Sequence, residues 1–193
     1  MILELEAAVE ELRAGAVVAY PTETVYGLGA DALSAAAVGR LRRLKRRDPE
    51  SGLSVLVGSP EQLERYVPGL PARAAELARE HWPGPLTLVL PGPDESLAAV
   101  ATPLGVGFRC SPHPTAAALV AAFGGPLVST SANFAGKPPC ARAAEVERVF
   151  GPRLPVAVGG AAGGLAASTV VAVSARGELR TLRPGPVSLP EAG

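Results

Sequence analysis

The sequence predicts an α/β domain, a sheet covered by helices. Three observations carry that reading. Along the 193 residues the apolar spacing switches repeatedly between a helical and a strand-like period. The two kinds of segment alternate rather than cluster. No period of roughly 20–50 residues repeats, which removes a solenoid. The length suits one domain with a sizeable core.

The elements follow in order. Leu5, Val9 and Leu12 sit four and three apart and predict a helix that stops near Gly15. Residues 16–20 read as a short apolar strand cut by Pro21, and the polar stretch 21–29 after it as a loop. Leu33, Ala37, Leu41 and Leu44 predict a second helix, with Ser34 as its N-cap and Asp48-Pro49 as its stop. A buried strand is expected over 53–57, a helix over 71–82 with proline in its first turn, and a strand over 86–90. Beyond these come a strand at 106–109, a helix at 114–123 and a strand at 127–130. A helix at 141–150 and strands at 156–158, 169–173 and 179–182 complete the chain. The expected division is one domain over 1–187 and a tail, 188–193. Polar residues gather after strands, at 21–29, 110–114, 131–139 and 159–164, where open α/β sheets bind ligands.

Composition narrows the function. Hydrophobic residues are 48% and charged residues 19%, a globular balance, and the 22 Gly and 20 Pro imply many turns. Lys+Arg and Asp+Glu are 18 each, so no global charge grips nucleic acid or anionic lipid. Aromatics at 4% are too few for a single-strand stacking platform. The acidic start and the absence of a run of ~18 apolar residues point to a cytoplasmic protein with no membrane partner. Cys110 and Cys140 cannot form a disulfide framework. Cys110-x-x-His113 has metal-like spacing, yet His81 and Cys140 are the only further residues of those types, so no metal site is expected. His113, between two prolines, reads as a loop residue rather than a base.

The neutral total hides one concentration. Six cations lie between Arg40 and Arg47, and Lys45 there is one of only two lysines, with Lys137. Like charges at helical spacing cost roughly 0.2–0.5 kcal/mol per pair, so the run is disfavoured by about 1–2 kcal/mol unless something offsets it. A helix C-terminus, at ~0.3–1 kcal/mol per cation, is one offset, and a polyanionic ligand is another. Ser129-Thr130-Ser131-Ala132-Asn133 is dense in short hydrogen-bonding groups after a strand. Such groups satisfy turn backbone or bind phosphate oxygens. The chain has no P-loop and no Gly-x-Ser-x-Gly elbow, and Gly27-Leu28-Gly29 lacks the third glycine of a dinucleotide loop.

Seven motifs occur in an order that resembles the YrdC/Sua5 family of threonylcarbamoyl-AMP synthases. They are Pro21-Thr-Glu-Thr-Val-Tyr-Gly-Leu-Gly29, Lys45-Arg-Arg47, Trp82-Pro-Gly-Pro-Leu-Thr87, Val106-Gly-Phe-Arg109, Ser129-Thr-Ser-Ala-Asn133, Ser168-Thr-Val-Val171 and Arg183-Pro-Gly185. The resemblance implies a twisted, mixed or parallel open sheet with a concave basic groove. It implies a nucleotidyltransferase that makes threonylcarbamoyl-adenylate and pyrophosphate from L-threonine, bicarbonate or CO2, and ATP with Mg2+. The family's Lys-x-Arg and Ser-x-Asn tetrad falls on Lys45, Arg47, Ser131 and Asn133 as catalytic residues. Arg109, Ser129 and Arg183 would join them on ATP, and Thr22 and Tyr26 would hold threonine with Arg47. The basic run is thereby recast as an anion site. Implied partners are the proteins that transfer threonylcarbamoyl to tRNA, with room for a weak RNA contact. Two alternatives are a relative that adenylates another carbamoyl substrate and a non-catalytic RNA-binding module. Ala135, Val158, Ala172 and Gly52 depart from the usual family pattern.

Overall fold

The computed structural model describes residues 1–46, 48, 51–157 and 160–189. The strands are β1 (Ile2–Leu3), β2 (Val18–Pro21), β3 (Tyr26–Gly29), β4 (Ser54–Leu56), β5 (Leu86–Leu90), β6 (Val106–Arg109), β7 (Leu127–Ser131), β8 (Val156–Ala157), β9 (Thr169–Val173) and β10 (Leu179–Arg183). The helices are α1 (Leu5–Arg13), α2 (Ala35–Lys45), α3 (Leu63–Tyr66), α4 (Ala72–His81), α5 (Pro114–Phe123) and α6 (Ala143–Phe150). The strands form one sheet in the order β1-β8-β2-β3-β7-β4-β6-β5-β9-β10. Parallel pairs (β4 with β6, β5 with β9) alternate with antiparallel ones (β3 and β4 with β7, β5 with β6), so the sheet is mixed.

Side-chain alternation sorts two cores onto opposite faces. Val18, Tyr20, Leu56 and Leu127 pack with Ala8, Val9 and Leu12 of α1 and with Ala116, Leu119 and Val120 of α5. The intervening residues Ala19, Val55 and Val128, with Phe108 and Leu88, pack on the other face with Ala37 and Leu41 of α2 and Leu77 of α4. At ~25 cal/mol per Å2 of apolar area, each fully buried Leu or Phe contributes about 1.5–3 kcal/mol.

Two expectations change. Residues 26–29 are strand rather than loop: β3 pairs with β2 as Tyr20↔Gly27 and Val18↔Gly29. Its glycines make room for the Tyr20 ring, since a Cβ on Gly29 would stand 2.6 Å from Tyr20 Cε1. The sixth helix starts at Ala143 rather than 141. Arg142 is extended, and the Glu145 carboxylate takes the Ala141 N–H at 2.7 Å. The strand expected at 156–158 is described only to Ala157. Val187 is fastened to Thr169, whose Oγ1 donates to its carbonyl at 2.8 Å and accepts from its N–H at 2.9 Å.

Helix α2 aims the basic run. Ser34 Oγ accepts from Ala37 N at 3.3 Å, as its place before the apolar stripe predicts. The helix ends at Arg46 in the left-handed region, φ 51, where N–H groups turn back to Arg42 and Arg43 carbonyls. Ser34→Ala is expected to lower stability by about 0.5–2 kcal/mol, measured by urea unfolding.

Burial pushes the Tyr20 hydroxyl up to about 12, against the opposing pull of Ser129 and the Arg109 charge. Between its ordinary value of 10.0 and about 12 the unfolded chain has lost this proton and the folded chain keeps it. Stability therefore falls with rising pH there, by ~1.4 kcal/mol per pH unit from this group. Tyr20→Phe is expected to flatten that slope when unfolding free energies near pH 10 and pH 12 are compared.

Candidate active site

Helices α1 and α5 cover only part of their face of the sheet, and the residues on the uncovered part are polar. Along β7, Leu127 lies under the helices, while Ser129 and Ser131, two and four residues on, line a cavity of about 210 Å3. Neighbouring strands continue the same row. Ser54 is registered with Ser129 and Gly107, and Leu56 with Arg109, which ends β6. Gly27 stands opposite Ser131. Thr87 on β5, Ser168 before β9 and Arg183 at the end of β10 close one end. The 22–26 turn closes the other.

Thr22 Oγ1 donates to the Val25 carbonyl at 2.7 Å and lies 3.0 Å from Thr24 Oγ1, which fixes the turn. Tyr26 is among the lining residues, packs in the core on the other face and donates its hydroxyl to the Gly160 carbonyl at 2.6 Å. Segment 163–165 then crosses the turn. The N–H groups of Gly163, Gly164 and Leu165 donate to the carbonyls of Thr22, Thr24 and Glu23 at 2.9, 3.0 and 3.1 Å. Gly163 is required there, because a Cβ would come within 2.5 Å of the Glu23 carbonyl oxygen.

Lys45, only 2% exposed, donates Nζ to the Ser131 carbonyl and, at 3.0 Å, to Asn133 Oδ1. The Ser131 hydroxyl donates to the same Oδ1 at 2.7 Å, and Asn133 Nδ2 donates to the Lys137 carbonyl at 2.5 Å. Lys45, Ser131 and Asn133, far apart in sequence, thus form one hydrogen-bonded unit whose Ser131 faces the cavity. The fourth tetrad residue, Arg47, lies outside the described residues.

Three described arginines of the basic run make contacts of their own. Arg40 donates to the Gly15 carbonyl at 2.7 Å. Arg42 donates to the carbonyls of Asp48, Ser51 and Ala99. Arg46 lies over the Phe134 ring at 5.4 Å. These three arginines satisfy loop carbonyls and an aromatic face, whereas Lys45 reaches Ser131 and Asn133.

At the far end Arg183 donates Nη2 to Ser168 Oγ at 3.0 Å and both Nε and Nη2 to the Ser168 carbonyl. Thr87 and Ser168 share a hydroxyl bond of 2.9 Å. Burial draws the Arg109 guanidinium down to about 10, which leaves it charged at neutral pH. Of the residues expected from the sequence, Thr22, Tyr26, Arg109, Ser129, Ser131 and Arg183 line one cavity, and Lys45 and Asn133 adjoin it through Ser131. Thr87 and Ser168, which stand in two of the motifs without an expected role, also line it, as does Ser54, and Glu23 is ion-paired with Arg109. Register with Ser129 marks Ser54, but nothing local in the sequence does. His113 caps α5, its Nδ1 accepting from Thr115 N at 3.2 Å.

The donors are hydroxyls and guanidiniums, a set matched to anionic oxygens. Among the described residues no three His, Cys, Asp or Glu side chains gather to hold a metal ion. No helix among them is long and apolar enough to cross a membrane.

Comparison with known proteins gives consistent results. A protein of Halorhodospira halophila named threonylcarbamoyl-AMP synthase is 47% identical over 85% of this chain and 86% of its own. One of the same name from Chromohalobacter salexigens is 45% identical over 91% and 94%. The crystal structure of P. abyssi Sua5 complexed with L-threonine superposes with a TM-score of 0.88 at 35% identity. That superposition covers 96% of this chain, which spans 57% of the P. abyssi protein's length. The model of the Sua5/YciO/YrdC family, described as telomere recombination, matches residues 10–185. Those residues build every wall of the cavity, and the chain belongs to the Sua5/YciO/YrdC family.

Proposed function

We propose that the chain is a threonylcarbamoyl-AMP synthase: it joins L-threonine, bicarbonate or CO2, and ATP into threonylcarbamoyl-adenylate and releases pyrophosphate. The observation that carries this is the cavity itself, walled by hydroxyls and two guanidiniums and tied through Ser131 to the buried Lys45. The names of the relatives and the threonine bound by P. abyssi Sua5 support the reading.

The chemistry sets two anions against each other, a carbamate carboxylate attacking the α-phosphate of ATP. Holding them in line and spreading the developing charge is a positioning and electrostatic task. Lys45 and Arg47 neutralise phosphate and carboxylate oxygens. The Ser131 hydroxyl, free to rotate about its C–O bond, turns from Asn133 Oδ1 to a phosphate oxygen, and Asn133 holds Lys45 in place as it does so. Ser129, Arg109 and Arg183 contact the nucleotide phosphates. Thr22 and Tyr26, with Arg47, hold the threonine. The cavity is smaller than the roughly 300–1,000 Å3 usual for small-molecule sites, so it takes the reacting groups while adenosine extends past its rim. Mg2+ arrives on the ATP phosphates as part of the substrate. Product passes to threonylcarbamoyl-transferring proteins that act on tRNA in the cytoplasm.

Pyrophosphate release from ATP is expected to require both threonine and bicarbonate. Release indifferent to threonine would sink the reading. Lys45→Ala and Arg47→Ala are each expected to lower kcat/KM by at least about 100-fold, with far-ultraviolet circular dichroism unchanged. Retention of most activity by both would remove the assigned tetrad.

A further inference from the structure

Two guanidiniums share one small cavity. Arg109 ends β6, Arg183 ends β10, and the Arg183 charge acts against that of Arg109. Arg109 is also nearly sealed, its side chain 12% exposed. What sits behind it is Glu23, whose own side chain is 7% exposed. Glu23 Oε1 is ion-paired with Arg109 Nη2, and Oε2 accepts from the Ser111 hydroxyl at 2.5 Å. Arg109 Nε is buried without a hydrogen-bond partner. With Nη2 facing Glu23 and Nε sealed, Nη1 is the nitrogen left to meet a ligand in the cavity that Arg109 lines.

Stability alone accounts poorly for such a pair. Removing two charges from water is costly, and well-packed apolar residues often do as well or better in their place. Orientation accounts for it better. Glu23 is held at its backbone, where its carbonyl accepts from Leu165 N and its neighbours' carbonyls accept from Gly163 and Gly164. It is held at its carboxylate by Ser111, whose Oγ also accepts from His113 N at 3.2 Å. A carboxylate fixed at both ends gives Arg109 Nη2 a charge partner at a fixed place.

We propose that Glu23 is a positioning residue: its carboxylate presents Arg109 Nη1 to the anionic group in the cavity and supplies the counter-charge that lets Arg109 and Arg183 face one site. The identity of that anion, an ATP phosphate, rests on the synthase reading. The placement of Glu23 behind Arg109 does not. Glu23 acts through Arg109 and touches no reacting atom.

The test is a double-mutant cycle on threonine-dependent pyrophosphate release, with each variant assayed below its own unfolding temperature. Glu23→Gln is expected to lower kcat/KM by roughly 10- to 100-fold, and to cost no further activity in an Arg109→Ala background. Losses that multiply in the double variant would overturn the proposal. Should Glu23→Gln fail to fold, Ser111→Ala keeps both charges and frees only Oε2. It is expected to cost several-fold with Arg109 present and nothing without it, and an equal loss in both backgrounds would overturn the proposal. If the wild-type chain released no pyrophosphate, the synthase reading would fall by itself. The same cycle read as ATP affinity by calorimetry would then decide Glu23, with coupling sustaining the proposal and additivity ending it.

Discussion

The strict alternation of side chains along β7 is the constraint on which the rest of the structure depends. Alternate residues of this central strand pass from one face to the other, so Leu127 and Val128 serve two different cores within one step of the chain. The same alternation carries Ser129 and Ser131 onto the face where α1 and α5 no longer reach. A register slip of one residue would place serines in the apolar core and valine in the cavity. The site is therefore specified by the pairing that specifies the fold.

Electrostatics then separate the site from the surface around it. Lys45 is buried against a carbonyl and an amide oxygen, at the last turn of a helix whose Arg40 and Arg42 turn to loop carbonyls. Arg109 is buried against a carboxylate. Each buried cation is met by fixed acceptors, as a low-dielectric setting demands. Such groups are already oriented when substrate arrives, and little reorganisation is needed at the moment of reaction.

Much of this was legible in the sequence, because period and punctuation are local. Ser34 announced the start of α2, and the alternation of segments announced the α/β sheet. Residues 26–29 misled because two glycines and a preceding proline imitate a loop. Their cause, the Tyr20 ring lying across the strand pair, appears only when β2 and β3 are side by side. The basic run is legible only in part: charge density is visible in a sequence, but the carbonyls that Arg40 and Arg42 meet are not. The motifs marked Arg109 and Arg183 but not the grip of Glu23 on one of them, a contact between the β2–β3 turn and the end of β6 that is invisible to any local pattern.

The burial of these charges also decides how the protein meets ionic strength. At physiological salt the screening length is ~8 Å, and it applies to charges in water. Arg43 and Arg46 stand exposed, so added salt shortens the reach of their field and slows the capture of an anion from solution. Lys45 and Glu23 are buried and Arg109 nearly so, and charges so placed are screened much less. Encounter and chemistry thus answer to different solvents, the first to the electrolyte and the second to the protein interior.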